Sequence, residues 1–321
     1  MTDGTDERGA RSSAGDQRTR RAAPGGGRSG GRRGTTPLRC ATFNVLHGTG
    51  TGDDGRPVAV GPGDPRAPLA TAVADLDADL LALQELDRFQ ERSGRVDQAA
   101  VAAAAMRAVD WRYASAVHGR TVPGQGWVPD PEVDGVRLYG PGDAAGDAGA
   151  VASLGIALLS RRPVRAWRTL PLPPAPVPLP LRVAGRARPV LSRDQARAAL
   201  AAVVEGERGV FTAVALHLSF VPGWNARQLR AVRRWLDGLP RPWLLLGDLN
   251  LVGALPRLVL DGPLRSEWAA LARTPTYPAH RPAVQFDHLL ATGVTTAAVG
   301  ATGAPRTGIS DHRPLTAELD W

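Results

Sequence analysis

The run Trp243-Leu244-Leu245-Leu246, closed by Gly247-Asp248-Leu249-Asn250, limits what this chain can fold into more than any other stretch. An unbroken apolar segment this short reads as a strand buried on both faces, although periodicity alone leaves a buried helical segment open. Gly247 is expected to let the backbone turn sharply. Asp248 and Asn250, two residues apart, are expected on the same side of an extended chain. Taken alone, the pair also fits an ordinary turn after a strand.

The same placement recurs along the chain. Leu38 to Val45 alternates like a strand and carries Asn44 near its end; Asp79 to Glu85 is a second apolar strand, ending on Glu85. Arg197 to Val204 and Gly209 to Leu218 read as a hairpin whose second strand ends at His217. Val284 to Leu290 holds Asp287, and Ser310-Asp311-His312 precedes a last strand, Pro314 to Leu319. Between them, Ala67 to Leu76, Val96 to Val109, Trp224 to Leu239 and a stretch near Leu255 to Leu271 have helical spacing. Trp111 to Val117 and Leu154 to Ser160 are strand-like, and Pro163 to Leu170 is expected to pair with the latter. Gly119 to Gly149, full of Gly, Pro and Asp, is expected to be a surface excursion. Pro171 to Pro180 reads as a stiff connector or a polyproline ligand. Strands clustered in pairs between occasional helices favour mixed or antiparallel sheets over a simple βαβ repeat.

Composition bounds the setting. The chain has 321 residues, 43% of them hydrophobic, enough for a large core, and no apolar run of membrane-spanning length. All 39 basic residues are arginine, the net charge is +8 and the pI is near 11.0, which suits a partner carrying phosphate. Much of that excess sits in the first 40 residues. Residues 1–36, rich in Gly, Ser, Arg and Asp, are expected to be a disordered tail, with one domain over 37–321. Neither arginine pair in the tail is followed by the hydrophobic segment an export signal needs. The single cysteine, Cys40, excludes an internal disulfide and a multi-cysteine metal site and fits a cytoplasmic protein, expected to be a monomer.

The strand-end residues together suggest chemistry. Hard divalent cations such as Mg²⁺ prefer carboxylate and amide oxygens, which Asn44, Glu85 and Asp311 supply. A phosphate ester then needs an activated water, charge stabilisation on the phosphoryl oxygens and help for the leaving oxygen. Asp248 and Asn250 can orient and deprotonate the water. His312, held by Asp287, can stabilise charge or pass a proton.

The motifs Phe43-Asn44-Val45, Leu83-Gln84-Glu85-Leu86-Asp87, His217-Leu218-Ser219, Gly247-Asp248-Leu249-Asn250, Phe286-Asp287-His288 and Ser310-Asp311-His312-Arg313-Pro314 resemble, in order and rough spacing, the endonuclease/exonuclease/phosphatase superfamily. The resemblance covers about Leu38 to Trp321. It implies an α+β fold of deoxyribonuclease I type: a four-layer α/β/β/α sandwich of two packed mixed sheets flanked by helices. It also implies Mg²⁺- or Mn²⁺-dependent cleavage of phosphate esters. Carried over by position, Glu85 is the principal metal ligand, aided by Asn44 and Asp311. Asp248 and Asn250 handle the attacking water, the Asp287–His312 pair faces the scissile phosphate, and His217 is the second histidine of the nuclease and lipid-phosphodiesterase branches.

Two departures bear on the substrate. Gly155-Ile156-Ala157 stands where many members read Gly-Asn-Ala, and Gln84-Glu85-Leu86-Asp87 lacks the Gln-Glu-Thr-Lys wording of abasic-site endonucleases. Nucleic acid, phospholipid (as in GPI-remodelling and sphingomyelinase-like enzymes) and a small phosphate ester all remain as substrates. A catalytically silent binding module is disfavoured by the intact Glu85, Asp248, Asn250 and His312. Trp127 and Phe220 to Trp224 are candidates for substrate contact, while His47, His118, His280 and His288 carry no assignment.

Overall fold

The computed structural model describes residues 1, 36–58, 63–122, 124–143, 151–181, 190–262 and 266–320. Residues 2–35 of the expected tail, and residues 123 and 144–149 of the expected excursion, lie outside them. The architecture belongs to the unit Thr35–Trp321. In chain order its elements begin β1 (Leu38–Asn44), α1 (Ala67–Leu76), β2 (Leu80–Arg88), α2 (Gln98–Met106), β3 (Asp110–Val122), β4 (Gly126–Pro129), β5 (Arg137–Tyr139) and β6 (Ser153–Ser160). They continue with β7 (Val164–Leu172), β8 (Leu179–Leu181), β9 (Val190–Ser192), β10 (Arg197–Gly206), β11 (Gly209–His217), α3 (Trp224–Leu236) and β12 (Trp243–Asp248). The last are α4 (Leu255–Asp261), β13 (Trp268–Ala270), β14 (Asp287–Thr292), β15 (Val299–Gly303) and β16 (Leu315–Leu319).

One sheet runs β15-β16-β1-β2-β6-β3-β4, with β5 also on β3; the second runs β13-β14-β12-β11-β10-β7. Each is mixed in the same way. A parallel pair, β1 with β2 or β11 with β12, lies between antiparallel neighbours.

Side-chain alternation turns these sheets into layers. Leu244 and Leu246 of β12 enter the apolar layer between the sheets, with Cys40, Leu80, Leu158, Leu289 and Leu315. Trp243 and Leu245 face outward onto Leu229 and Val232 of α3 and Leu260 of α4. On the far side, Phe43, Leu81 and Leu83 pack against Leu69 and Val73 of α1 and Met106 of α2. The alanines of α2 keep that helix close to its sheet, and Asp97 caps it by accepting the Ala100 N–H at 3.1 Å. The result is the expected α/β/β/α sandwich with β12 buried on both faces. Truncating Leu246, wholly buried between the sheets, costs about 2–5 kcal/mol on the scale of core leucine deletions.

Several local expectations fail for identifiable reasons. Gly247 makes no turn. It lies inside β12, and a Cβ there would sit 2.1 Å from the Leu216 carbonyl oxygen, so glycine permits close strand approach. β7 does not pair with β6, because both edges of β6 are already taken by β2 and β3; β7 crosses to the other sheet and pairs with β10. Gly119–Gly149 is only partly an excursion, since β4 and β5 both hydrogen-bond to β3. The helix expected to reach Leu271 stops at Asp261, where Gly262 takes φ 67° and Asp261 Oδ1 accepts the N–H groups of Glu267 and Trp268. The proline tract is a connector: Pro173 O accepts from Trp224 Nε1 and Gln228 Nε2, both at 2.9 Å, and ties it to α3.

Candidate active site

Two parallel pairs, one in each facing sheet, bring four carboxyl strand ends to one pole. Asn44 closes β1, and its Nδ2 donates at 3.2 Å both to Glu85 Oε1 on β2 and to Asp248 Oδ2 at the end of β12. His217 closes β11 beside Asp248, with Nε2 3.6 Å from Asp248 Oδ2 and 4.0 Å from Glu85 Oε1. Asp287 opens β14 directly opposite Asp248. It accepts His312 Nδ1 at 2.8 Å and Thr276 Oγ1 at 2.6 Å, both on Oδ2, while its buried Oδ1 meets no donor. His312 Nε2 lies 3.9 Å from Asp248 Oδ2. Asp311 is close enough for Glu85 and His312 to move its proton affinity.

Backbone conformation is unusual here. Glu85 has φ 56°, and β2 carries a bulge in which Gln84 and Glu85 oppose Ile156 alone. Leu46, His47, Asn250 and Ser310 also have positive φ without being glycine. Such conformations are costly and persist where surrounding contacts over-determine them. Asn250 therefore does not extend β12. Its φ of 49° turns its N–H back to Asp248 Oδ1 at 3.0 Å, and Nδ2 is anchored on Leu218 O at 3.0 Å. The expected same-side alternation of Asp248 and Asn250 is replaced by a left-handed turn.

Electrostatics separate the titrating groups. Burial, together with Asp287, pushes the Asp248 carboxyl up to about 7, against the pull of His312, the Asn250 N–H and Asn44. Burial and Glu85 likewise raise Asp311. For His312, burial opposes charge, but Asp287, Asp248 and Asp311 overcome it and lift the imidazole to about 10, so it is a cation at neutral pH. His217 goes the other way. Burial and the Arg197 guanidinium hold it well below its ordinary value. Arg197 Nη1 lies 2.7 Å from His217 Nδ1 and 3.2 Å from Nε2, a cation close enough to keep the ring neutral.

Reasoning from sequence missed Arg197, His47, Thr276 and Tyr277. The hairpin expected over β10 and β11 already sets Arg197, first in one strand, against the end of the other, so that signal was present. His47 Nδ1 lies 2.9 Å from Glu85 O and 3.3 Å from Asp87 Oδ1, and its Nε2 3.6 Å from Glu85 Oε2. Its left-handed backbone leaves no pattern in the sequence. Tyr277 packs its ring 5.0 Å from that of His312. His288 follows Asp287 in β14, turns to the opposite face and meets Leu251 O at 2.7 Å.

The crowding of Glu85, Asp248, Asp287 and Asp311 suits a divalent cation, whose charge would relieve the raised affinities of Asp248 and Asp311. Asp248, Asp287 and His312 form a buried group whose ligand atoms lie within 4.8 Å of one another and could hold a metal ion. An ion there would compete with the His312–Asp287 hydrogen bond at 2.8 Å, whereas Glu85 would give up only the longer 3.2 Å bond from Asn44. Asn44 fits less directly, since it presents amide hydrogens to the carboxylates and its Oδ1 accepts the Leu46 N–H.

A family model described as the endonuclease/exonuclease/phosphatase family matches residues 41–312. The chain belongs to that family. Members are divalent-metal-dependent phosphoester hydrolases, and the membership supports a hydrolase here. Among solved structures, an endonuclease/exonuclease/phosphatase from Beutenbergia cavernae is 22% identical with a TM-score of 0.56, over 89% of this chain and 72% of that one. A family protein from Leptotrichia buccalis is 13% identical with a TM-score of 0.53, over 88% and 100% of the two chains. A mannosyl-6-phosphatase from Bacteroides thetaiotaomicron is 16% identical with a TM-score of 0.50, over 88% and 100%. These likenesses show the fold. No curated protein matches the chain. No helix among the described residues is long and apolar enough to cross a membrane.

Proposed function

We propose that this member of the family is a divalent-metal-dependent phosphate-ester hydrolase, a phosphodiesterase in type, that activates water at the pole shared by the two sheets. The observation that carries this reading is the Asp248 carboxylate, buried and raised to about 7, fixed between the Asn44 and Asn250 donors and next to a cationic His312. A general base works best when its proton affinity lies near the working pH.

Glu85 and Asp311 would hold the ion, and Asn44 would contribute through Oδ1 once its amide is turned over. When bound, Mg²⁺ or Mn²⁺ supplies Lewis-acid polarisation of a phosphoryl oxygen and help for the leaving oxygen. Asp248 accepts the proton of the attacking water. Asn250, whose Nδ2 is anchored on Leu218 O, has Oδ1 to accept from that water. His312, oriented by Asp287 and Thr276, places positive charge against the phosphoryl oxygens, and neutral His217 donates its ring N–H to one of them. The silent-module alternative has nothing in this geometry to favour it.

The test is hydrolysis of bis-p-nitrophenyl phosphate, p-nitrophenyl phosphate and supercoiled plasmid by the purified protein with Mg²⁺ or Mn²⁺. Turnover that EDTA and Asp248→Asn both abolish is expected. Turnover that survives both would overturn the reading.

A further inference from the structure

Beside the reactive pole lies a cleft of about 330 Å³ whose polar end is Glu85, His47, His217, Arg92 and Arg197. One wall is mostly apolar, with Ala114, Ala116, Leu154, Ile156, Ala198 and Trp127, while Thr121 and Gln195 are the polar side chains beyond the polar end. The strands are shaped to make this surface. Ile156 is the single residue opposite the β2 bulge that presents Glu85, so the apolar wall starts next to the carboxylate proposed to hold the ion. β3 slips register between Ser115 and Val117, which turns Ala116 out of the ladder toward the cleft. A Cβ on Gly155 would sit 2.3 Å from Ala114 O, so glycine keeps the floor tight. Trp127, half-buried on β4, overhangs the far wall.

The two arginines at the polar end are already occupied. Arg92 grips the fully buried Asp87 through Nε at 2.8 Å and Nη2 at 2.7 Å. Arg197 is engaged with His217 and faces Asp194 at 3.9 Å. A groove that tracks a nucleic-acid backbone needs cations free to meet successive phosphates. Among the described residues lining this cleft, Arg92 is paired with a carboxylate and Arg197 is turned onto His217, so the cleft holds no row of exposed cations. Beyond the scissile phosphate, the cleft offers contact mainly to hydrocarbon.

We propose that this cleft is the binding site for the alcohol arm of the substrate, and that the arm is an uncharged alkyl chain. The proposal rests on the phosphoester reading above and adds the class of substrate. The asparagine-to-isoleucine departure at Ile156 is then a specificity determinant, together with Trp127.

The first measurement compares kcat/KM for methyl and octyl p-nitrophenyl phosphate, the octyl ester held below its micellar concentration, on the full chain with Mn²⁺. Each methylene withdrawn from water is worth up to about fourfold, so an octyl-to-methyl ratio of roughly thirtyfold or more is expected. Trp127→Ala and Ile156→Asn should each cut that ratio by about fivefold. Trp127 is on a surface hairpin, so its variant keeps the test open should Ile156→Asn fail to fold. A wild-type ratio near one, a ratio that neither variant moves, or plasmid nicked faster than the octyl ester is cleaved would overturn the proposal. If no ester is hydrolysed, the catalytic reading falls, and calorimetry with octyl- and methylphosphonate still decides the cleft: preferential octyl binding supports it and equal binding overturns it. Vesicles of phosphatidylcholine and phosphatidylglycerol separate the sources. Cleavage of these lipids assigns a bilayer substrate, cleavage of the monomeric ester alone assigns a soluble one, and either supports an apolar arm.

Discussion

The two sheets contribute to one pole by opposite means. The first sheet presents Glu85 from a bulge in left-handed backbone, with its side chain 24% exposed. The second presents Asp248 and His217 from regular strand ends, with side chains only 3% and 5% exposed and fixed by neighbours. An exposed, strained carboxylate on an irregular strand suits a partner that comes and goes, as a metal or substrate does. A buried carboxylate in a regular ladder suits proton transfer, because desolvation tunes its affinity and hydrogen bonds hold its position.

The largest effect that would break this contrast is catalytic. Asp248→Asn should lower kcat by about a thousandfold, within the usual range for a general base. It should also stabilise the metal-free protein at high pH. A carboxyl with a raised affinity in the fold destabilises once it ionises, so wild-type stability falls as pH rises from the ordinary carboxylate range through about 7. Thermal melts in EDTA should show the variant melting higher at pH 8, with the difference vanishing toward pH 4. A variant that melts lower at pH 8 would remove the electrostatic account of the second sheet.

Next in size is Asp287→Asn, expected to cost about a hundredfold in kcat by leaving His312 without its partner. Here the sign is reversed. A histidine raised to about 10 contributes stability fully present below its ordinary value near 6.5 and lost as pH rises through 10. In the variant that loss should begin at lower pH, readable as a shifted alkaline limb in melts of the metal-free protein. An unshifted limb would mean that Asp287 does not hold the His312 charge.

Glu85→Gln sharpens the comparison from the other side. If the first sheet serves the ion, Mn²⁺ affinity by calorimetry should fall about ten- to hundredfold, while the same substitution type at Asp287 moves it less. Equal losses at both positions would shift the ion toward the Asp248–Asp287–His312 group.

How much of this was legible in sequence follows the same division. The second sheet's contribution was readable: the apolar run Trp243–Leu246 fixes β12, and the β10–β11 hairpin follows from two adjoining runs. The first sheet's irregularity was not. No residue type announces that Glu85 or His47 adopts positive φ, because those conformations are imposed by the bulge opposite Ile156 and by the turn after β1. The fate of β7 was hidden for a related reason, since whether a strand pairs with its predecessor depends on neighbours far away in sequence. Motif order named candidate site residues where local pattern could not, but it did not include Arg197, whose partner His217 is twenty residues on.

The smallest expected effect bears on strain. A non-glycine residue in left-handed backbone costs about 1 kcal/mol relative to glycine. Glu85→Ala and Glu85→Gly both delete the carboxylate, and both should abolish metal binding by the first sheet. They differ in that strain and, in the opposite sense, in the entropy of the unfolded chain. Glu85→Gly should therefore be more stable than Glu85→Ala by about 1 kcal/mol in denaturant unfolding without metal, despite the greater entropy glycine brings to the unfolded chain. At Asp248, in regular extended strand, the same pair should rank the other way, with alanine the more stable, because no positive φ rewards glycine there. Opposite rankings at two carboxylates bridged by one asparagine would show that strain belongs to one sheet and desolvation to the other. The same ranking at both would mean that the bulge is incidental to how the site is built.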